Sequence, residues 1–318
     1  MIKELKLITY NIDGLPEKLD LNDLPWIFKP IVWIYKLIKK TTMIVINDNQ
    51  NKQKCVEDIS KLLSEKDADI IAVQEDFNYH DELMSSLKEK YTCGTYTGGF
   101  DLSKIFSSTE WISCFPLPRF KCDGINIISK NNLSNETIVK WKKSYGYFTH
   151  ANDLLTHKGF RYYQIKIDSE LYVDVYILHM DADFYNAETC PDVSGDIEAR
   201  KEQLTQLTNY IIDRYKNGSN NPIIIMGDTN SYNYYSWDVN NLNSYLLNPI
   251  NETEGLEINE VSPNNGEDVD RVFYINLKKI NYFIKPIECY YDKNFTNEYG
   301  KLSDHNPLIT TINIETKK

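Results

Sequence analysis

Apolar runs and alternations recur along the chain, and several of them end on a polar side chain. Residues 5–10 (LKLITY) alternate, with Leu5, Leu7 and Thr9 on one face, and predict a strand. It stops at the polar turn Asn11-Ile12-Asp13-Gly14, and Leu15-Pro16 adds a second turn signal. Val56, Ile59, Leu62 and Leu63 lie at helical spacing and predict an amphipathic helix over residues 51–66. The apolar run 69–74 (DIIAVQ) predicts a buried strand leading to Glu75 and Asp76, and a short helix is expected over 80–90. Residues 125–129 form another strand, with further loop expected across 131–160. The runs 162–167 and 171–178 pair as a hairpin across Asp168-Ser169-Glu170, the second ending at His179. Ser194 is placed to cap a helix running to about Lys216, with Ile197, Leu204, Leu207 and Ile211 on one face and Gly218 just past its end. Residues 223–226 (IIIM) are a buried strand that runs into Gly227, Asp228, Thr229 and Asn230, and residues 269–275 and 308–314 supply two more strands. Alternating strands and helices make the class α/β. With no internal repeat and no linker rich in Pro, Gly or Ser, residues 1–318 read as a single domain.

The strand ends collect an ordered polar set: Asn11, Glu75, His179, Asp228 with Asn230, Asp270, and Asp304-His305. Side chains at the carboxyl ends of buried strands can meet a ligand where the chain leaves the sheet. A hard divalent cation takes oxygen ligands, and Mg²⁺ uses one or two carboxylates together with water and phosphate oxygens. Hydrolysis of a phosphate ester needs that charge, an oriented water, and donors for the oxygens that become negative. It is also served by a histidine titrating near the operating pH. The chain holds five histidines, so two at strand ends is informative, whereas His150 and His157 fall in loops and read as solvated or structural. Taken singly, each strand-end acid is equally a turn residue or a helix cap.

Charge and composition narrow the class. The chain is 42% hydrophobic and 25% charged, which is an ordinary globular balance able to build a core. Its net charge of −11 argues against affinity drawn mainly from neutralising phosphates, although bound cations can offset local negative charge. The six cysteines contain no CxxC pair, so zinc is not expected. The segment MIKELKLITYN enters an alternating pattern directly, without the apolar core and cleavage site of a signal peptide. A cytoplasmic protein with free thiols is the expectation.

One segment departs from the acidic balance. Residues 24–46 (LPWIFKPIVWIYKLIKKTTMIVI) carry Trp26, Trp33, Phe28 and Tyr35 with Lys29, Lys36, Lys39 and Lys40, and no acid. Aromatics for the headgroup boundary and lysines for anionic lipid suit a peripheral membrane element, and a lid packed on the domain suits the same residues. Pro25, Pro30 and the lysines exclude a spanning helix. Residues 91–124, rich in Gly, Ser, Phe and Pro, read as an irregular excursion.

The motifs TYNIDGL (9–15), IIAVQED (70–76), YILHMDA (176–182), IIIMGDTN (223–230), VDRVFYI (269–275) and LSDHNPL (302–308) together resemble the metal-dependent endonuclease/exonuclease/phosphatase superfamily, in order and across the chain. The resemblance implies a four-layer α/β sandwich: two packed mixed β-sheets flanked by helices, with the site at one end. It further implies Mg²⁺ (or Mn²⁺ in its place) held by Glu75, with Asn11 beside it and Asp304 nearby. His179 would donate to the phosphate, Asp228 and Asn230 would orient water and phosphate, and His305 would act as base or acid with its tautomer fixed by Asp270. VQED differs from the usual Gln-Glu followed by an apolar residue, which leaves Asp76 as a second acid near the metal or an exposed one.

Substrates in that superfamily range from DNA to phosphoinositides to sphingomyelin, so core motifs leave the choice open. Residues 152–160 (NDLLTHKGF) are similar to a segment of the neutral sphingomyelinase branch in which an Asp and a Lys-Gly pair form a switch; here these are Asp153 and Lys158. By position alone Lys158 also reads as a solvated loop lysine. DGINIIS (123–129) and the stretch from His179 to Leu204 look like the same branch, and segment 24–46 suits work at a bilayer. The expected activity is therefore a Mg²⁺-dependent phosphodiesterase acting on sphingomyelin at a membrane surface, as a monomer. The alternative is a nucleic-acid phosphodiesterase, since TYNIDGL and GDTN also resemble enzymes that remove tyrosyl adducts from 5′ DNA ends.

Overall fold

A computed structural model describes residues 2–15, 18–20, 29, 33, 43–45, 51–99, 109–111, 118–146, 153, 156–183, 192–261, 263 and 269–316. Two six-stranded sheets are built from β1 (Ile2–Asn11), β2 (Ile70–Gln74), β3 (Thr92–Cys93), β4 (Asn126–Ser129), β5 (Leu133–Lys140), β6 (Gly159–Lys166), β7 (Tyr172–His179), β8 (Ile223–Asp228), β9 (Leu256–Val261), β10 (Asp270–Leu277), β11 (Tyr282–Tyr291) and β12 (Leu308–Thr316). The first has the order β11-β12-β1-β2-β4-β3 and the second β9-β10-β8-β7-β6-β5. Each is mixed. At its centre lies one parallel pair, β1 with β2 and β7 with β8, and the remaining neighbours are antiparallel.

The period-two alternation of the strands sorts their side chains between layers. Leu5 and Leu7 of β1 join Ile70, Ala72, Val173, Val175, Ile224 and Met226 in the core between the sheets. Ile8 and Tyr10 face the other way and pack with Val56, Ile59 and Leu63 of helix α1 (Lys52–Lys66). On the outer side of the second sheet, Tyr162, Tyr176, Ile223, Ile225 and Phe273 meet Leu204, Leu207 and Ile211 of the long helix α3 (Ser194–Lys216). A shorter helix, α2 (His80–Met84), precedes β3, and α4 (Ser236–Leu242) follows β8. The result is the expected four-layer α/β sandwich of two packed mixed sheets flanked by helices.

Three local expectations change. Residues 131–160 are not all loop, because Leu133–Lys140 forms the edge strand β5. Ser194 opens α3 without capping it; the N-cap position falls to Val193, no side chain caps the helix, and the Asp192 side chain accepts the Ser194 N–H at 2.9 Å. The excursion 91–124 contains β3 and a short antiparallel pair, Thr109–Trp111 with Pro118–Phe120. Lys18–Asp20 and Met43–Val45 pair likewise. The basic aromatic segment 24–46 otherwise lies outside the described residues, apart from Lys29 and Trp33, both exposed. No helix among the described residues is long and apolar enough to cross a membrane.

A buried ion pair ties loop 121–125 to β6. Arg161, with no exposed surface, donates from Nε and Nη2 to the two Asp123 oxygens at 2.7 and 2.6 Å, and reaches Glu136 at 3.3 Å. Removing one partner strands the other's charge. Arg161→Met is therefore expected to cost about 3–5 kcal/mol of folding stability, read as a lowered urea midpoint with unchanged m-value.

Candidate active site

The two central parallel pairs finish at the same end of the sandwich and bring four predicted residues together. Asn11 ends β1 and Glu75 follows β2; His179 ends β7 and Asp228 ends β8, directly opposite each other in register. The Asn11 carboxamide bridges the sheets, donating from Nδ2 to Glu75 Oε1 at 3.1 Å and to Asp228 Oδ2 at 3.1 Å. His179 Nε2 lies 3.6 Å from Asp228 Oδ2 and 3.9 Å from Glu75 Oε1, beyond hydrogen-bond length, and so remains available to a ligand. Burial, then the positive charges of Lys158 and His305, hold the His179 pKa well below the usual histidine value, making it a neutral imidazole.

Close approach of these strand ends depends on two glycines. A Cβ on Gly14 would stand 2.4 Å from the Glu75 carbonyl oxygen, which accepts the Gly14 N–H. Gly227, at φ 147°, puts the backbone of β8 where a Cβ would meet the Leu178 carbonyl oxygen at 2.1 Å.

The antiparallel neighbours begin where the parallel pairs end. Asp270 opens β10 opposite Asp228, and the loop before β12 presents Asp304 and His305. His305 Nδ1 lies 2.6 Å from Asp270 Oδ2, and its Nε2 is 3.8 Å from Asp228 Oδ2. Burial works against the imidazolium, but Asp270, Asp228 and Asp304 outweigh it and raise the His305 pKa well above the ordinary value. Ser303 fastens this loop to β1 by donating to the Asn11 carbonyl at 2.7 Å and accepting the His305 N–H at 3.2 Å. Asn230, at φ 47°, gives its N–H to Asp228 Oδ1 at 2.9 Å and its Nδ2 to the Met180 carbonyl at 2.9 Å.

That same carbonyl accepts Lys158 Nζ at 3.4 Å, and Lys158 pairs with Asp153 Oδ1 at 2.5 Å. Asp153 in turn accepts the Ala182 N–H at 2.7 Å. Both side chains are buried, which overturns the solvated-loop alternative for Lys158. Burial opposes the ammonium, yet Asp153, Glu75 and Asp181 hold its pKa above the usual lysine value. Lys158 thus shares the Met180 carbonyl with Asn230, and Asp153 is joined to this end of the sandwich through Lys158. His157 is likewise buried, while His150 falls outside the described residues.

Asp76 is neither exposed nor a second acid at the site. It is buried, and its Oδ2 contacts His80 Nδ1 at 2.6 Å and accepts Asn126 Nδ2 at 3.2 Å. The acid that sequence reasoning passed over is Asp13, whose carboxylate raises Glu75 and which Lys52 Nζ holds at 2.8 Å. Lys52, fully buried, also donates to the Leu302 carbonyl at 3.2 Å, locking the β1 turn to the loop bearing Asp304 and His305. Asp13 sits in the same motif as Asn11, so its spacing was the available signal.

The oxygen donors at this end suit a hard divalent cation. Glu75 is pushed up to about 7, first by burial and next by Asp13, with Lys158 opposing and Asp304 adding, so a bound cation would offset the cost of its ionised form. Asp304 itself is 75% exposed in its side chain and accepts from Ser303 at 3.2 Å. The ligand atoms of Asp228, Asp270 and His305 also lie within 4.8 Å of one another. The short His305–Asp270 contact already commits two of those three, which makes that trio a proton-holding set and leaves Glu75 as the better cation ligand.

Residues 8–305 match the model of the Endonuclease/Exonuclease/phosphatase family. No curated protein sequence matches the chain. Among solved structures, a beta toxin mutant from Staphylococcus aureus with bound magnesium ions is similar at TM-score 0.60 and 17% identity, covering 99% of this chain and all (100%) of that one. Sphingomyelinase C from Streptomyces griseocarneus is similar at TM-score 0.59 and 15% identity, covering 97% and 99%. D. rerio TDP2 complexed with a single-strand DNA product is similar at TM-score 0.57 and 13% identity, covering 97% and 98%. At these identities the likeness is one of fold.

Proposed function

The chain belongs to the endonuclease/exonuclease/phosphatase family, and from that premise we propose that it is a divalent-cation-dependent phosphodiesterase whose substrate is a sphingomyelin-type lipid. The observation that carries the chemistry is the Asn11 bridge, which sets Glu75 and Asp228 around one space between the sheet ends. Asp228, held by Asn11 and the Asn230 N–H, orients the attacking water and receives its proton. His305, kept as an imidazolium by Asp270, and neutral His179 donate to phosphate oxygens as their charge grows. Water oxygen bonds to phosphorus as the bond to the ester oxygen on the opposite side breaks, and that oxygen leaves as an alcohol after taking a proton from solvent water. A Mg²⁺ at Glu75 would act as a Lewis acid, neutralising charge on the phosphoryl group. Asn11, Glu75 and Asp304 are the residues proposed to hold it, and no zinc is needed.

The lipid assignment is supported by the Asp153–Lys158 pair, buried beside Asn230, and by the net charge of −11, which disfavours a polyanionic substrate. Sphingomyelinase C and TDP2 share the fold equally well, so substrate is decided by assay. Sphingomyelin vesicles, phosphoinositide vesicles and single-stranded DNA are compared side by side with a generic soluble phosphodiester. Release of phosphocholine from sphingomyelin is the expected result, and DNA cleavage without lipid cleavage would hand the assignment to the nucleic-acid reading. A single folded unit over residues 1–318, working as a monomer in the cytoplasm or peripherally at a membrane, completes the proposal. Deleting residues 24–46 is the corresponding test of the peripheral element: a loss on vesicles greater than on a soluble ester supports it.

A further inference from the structure

Immediately after the catalytic Asp228–Asn230 turn, the chain builds a ladder of rings. Tyr232 and Tyr234 have centroids 4.9 Å apart, Tyr234 and Tyr235 4.5 Å, and Tyr235 and Trp237 4.4 Å, the last pair stacked at 16°. Aromatic rings gathered like this are ordinarily core, but Tyr234 is 62% exposed and Trp237 38% exposed. The ladder also follows the reaction centre directly in the chain, Tyr232 coming next after Ser231, while Arg271 ties Thr229, Ser231 and Asn233 together. Tyr232 is pushed up to about 12 by burial first, and then by Tyr234, Asp183 and the catalytic Asp228.

The support under the rings is rigid. Arg271 Nη2 donates to the Ser231 carbonyl and to Asn233 Oδ1, each at 2.7 Å, and its Nε donates to Thr229 Oγ1 at 3.2 Å. Asp238, buried, accepts the Tyr232 N–H at 3.0 Å and the Arg200 guanidinium at 3.0 Å, while Arg200 also binds Asp183 at 3.0 Å. Arg271 is paired in turn with Glu260, so two guanidiniums meet three carboxylates, Glu260, Asp238 and Asp183, and a net negative charge lies beside the ladder. Residues 229–242 contain Asp238 and no Lys or Arg, and the described neighbours 181–183 add Asp181 and Asp183 and again no Lys or Arg.

Partly exposed aromatic rings beside net negative charge attract a cation, and they offer nothing to neutralise a phosphate backbone. We propose that the Tyr232–Tyr234–Tyr235–Trp237 ladder seats the quaternary ammonium end of a choline-type headgroup while its phosphate occupies the catalytic cluster. The inference rests on the lipid reading above and deepens it, naming the part of this chain that selects the headgroup. An ethylene bridge separates phosphate from ammonium in choline esters, so a site contiguous with Asp228 is required, and Tyr232 supplies that continuity. Preformed rings also spare the ordering cost of binding.

The test separates this proposal from the reading it rests on. Calorimetric titration of the full chain compares phosphocholine with its uncharged tert-butyl isostere, identical in shape and lacking the ammonium charge. Wild-type protein is expected to prefer phosphocholine about tenfold, the range of a desolvated cation–π contact. The Tyr234→Ala/Trp237→Ala double variant is expected to bring that ratio near one, and Tyr234→Phe/Trp237→Phe to retain most of it, since the ring rather than the hydroxyl is what matters. Equal binding of the two ligands by wild type, or an unchanged ratio in the folded Ala variant, overturns the proposal. So does loss of single-stranded DNA binding with the phosphocholine preference intact, which would make the ladder a base-stacking platform. Lipid cleavage with an unaffected ratio sinks the ladder alone. A ladder-dependent ratio without lipid cleavage upholds the headgroup site and sinks the substrate.

Discussion

His305→Ala is expected to lower kcat by about 10²- to 10⁴-fold on a soluble phosphodiester, with KM little changed, because the lost interaction belongs to the transition state. The geometry also predicts a pH signature. The His305 pKa is raised above the ordinary 6.5 because Asp270, Asp228 and Asp304 together outweigh burial. The imidazolium is thus fully present below the unfolded value and is lost as pH rises through the folded one, and so is the stability that it contributes. An enzyme that works through the imidazolium loses activity on the alkaline side. Asp270→Asn removes the 2.6 Å partner and lets the His305 pKa fall, so the alkaline limb of the kcat profile should move to lower pH. If the acidic limb moves instead, His305 is a base rather than a donor. Full activity in His305→Ala would remove it from the mechanism.

The parts legible in sequence were those whose environment forces a pattern. Central strands are buried on both faces and therefore read as apolar runs: β2 and β8 show burial at every position, and both were located from their Ile-rich stretches. Within the two six-stranded sheets, the strands that pattern reading did not find are β3, β5, β9 and β11, and each is a sheet edge. An edge strand has one solvated side and carries polar residues to suit. In β5, Ser134, Asn135 and Glu136 interrupt any apolar run, and in β11 Pro286 sits at a register shift that an edge alone tolerates.

Site residues at the ends of central strands were legible for the same reason, since the strand fixes where they point. Asn11, Glu75, His179 and Asp228 meet at one end of the sandwich. Asp76 was ambiguous because one step along the chain at a strand end reverses the direction of the side chain, and Glu75 at φ 60° leaves the strand geometry altogether. The burial of Lys158 was invisible because the acids that sustain its charge there, Asp153, Glu75 and Asp181, come from three separate stretches of the chain. The Tyr-rich stretch 232–237 carries no signal for exposure, since the same rings at the same spacing would serve equally in a core.

Glu75→Gln separates catalysis from stability more sharply than any other substitution. The cation that Glu75 is proposed to hold supplies several kcal/mol of charge stabilisation, so chelation should reduce hydrolysis to background and Mg²⁺ should restore it. In Glu75→Gln the loss should be about 10³-fold at Mg²⁺ concentrations saturating for wild type, the equivalent of roughly 4 kcal/mol. Because the cation-free carboxyl is pushed up to about 7, first by burial and then by Asp13, Mg²⁺ must displace a proton at acidic and neutral pH. Apparent Mg²⁺ affinity should therefore strengthen between about pH 6 and 8 in wild type, on either side of that pKa, and lose that dependence in Gln. The stability sign runs opposite to the usual carboxylate, whose folded pKa is depressed. Here the folded pKa lies above the unfolded one, so the folded state binds the extra proton, and the penalty grows as pH rises from the unfolded value to the folded one. Glu75→Gln removes that penalty, so in chelator above neutral pH the inactive variant should melt at a higher temperature than wild type. A lower melting temperature there would mean that Glu75 is a structural hydrogen-bond acceptor for Asn11 first, and that the counter-charge the cluster lacks is supplied by Lys158 rather than by a metal.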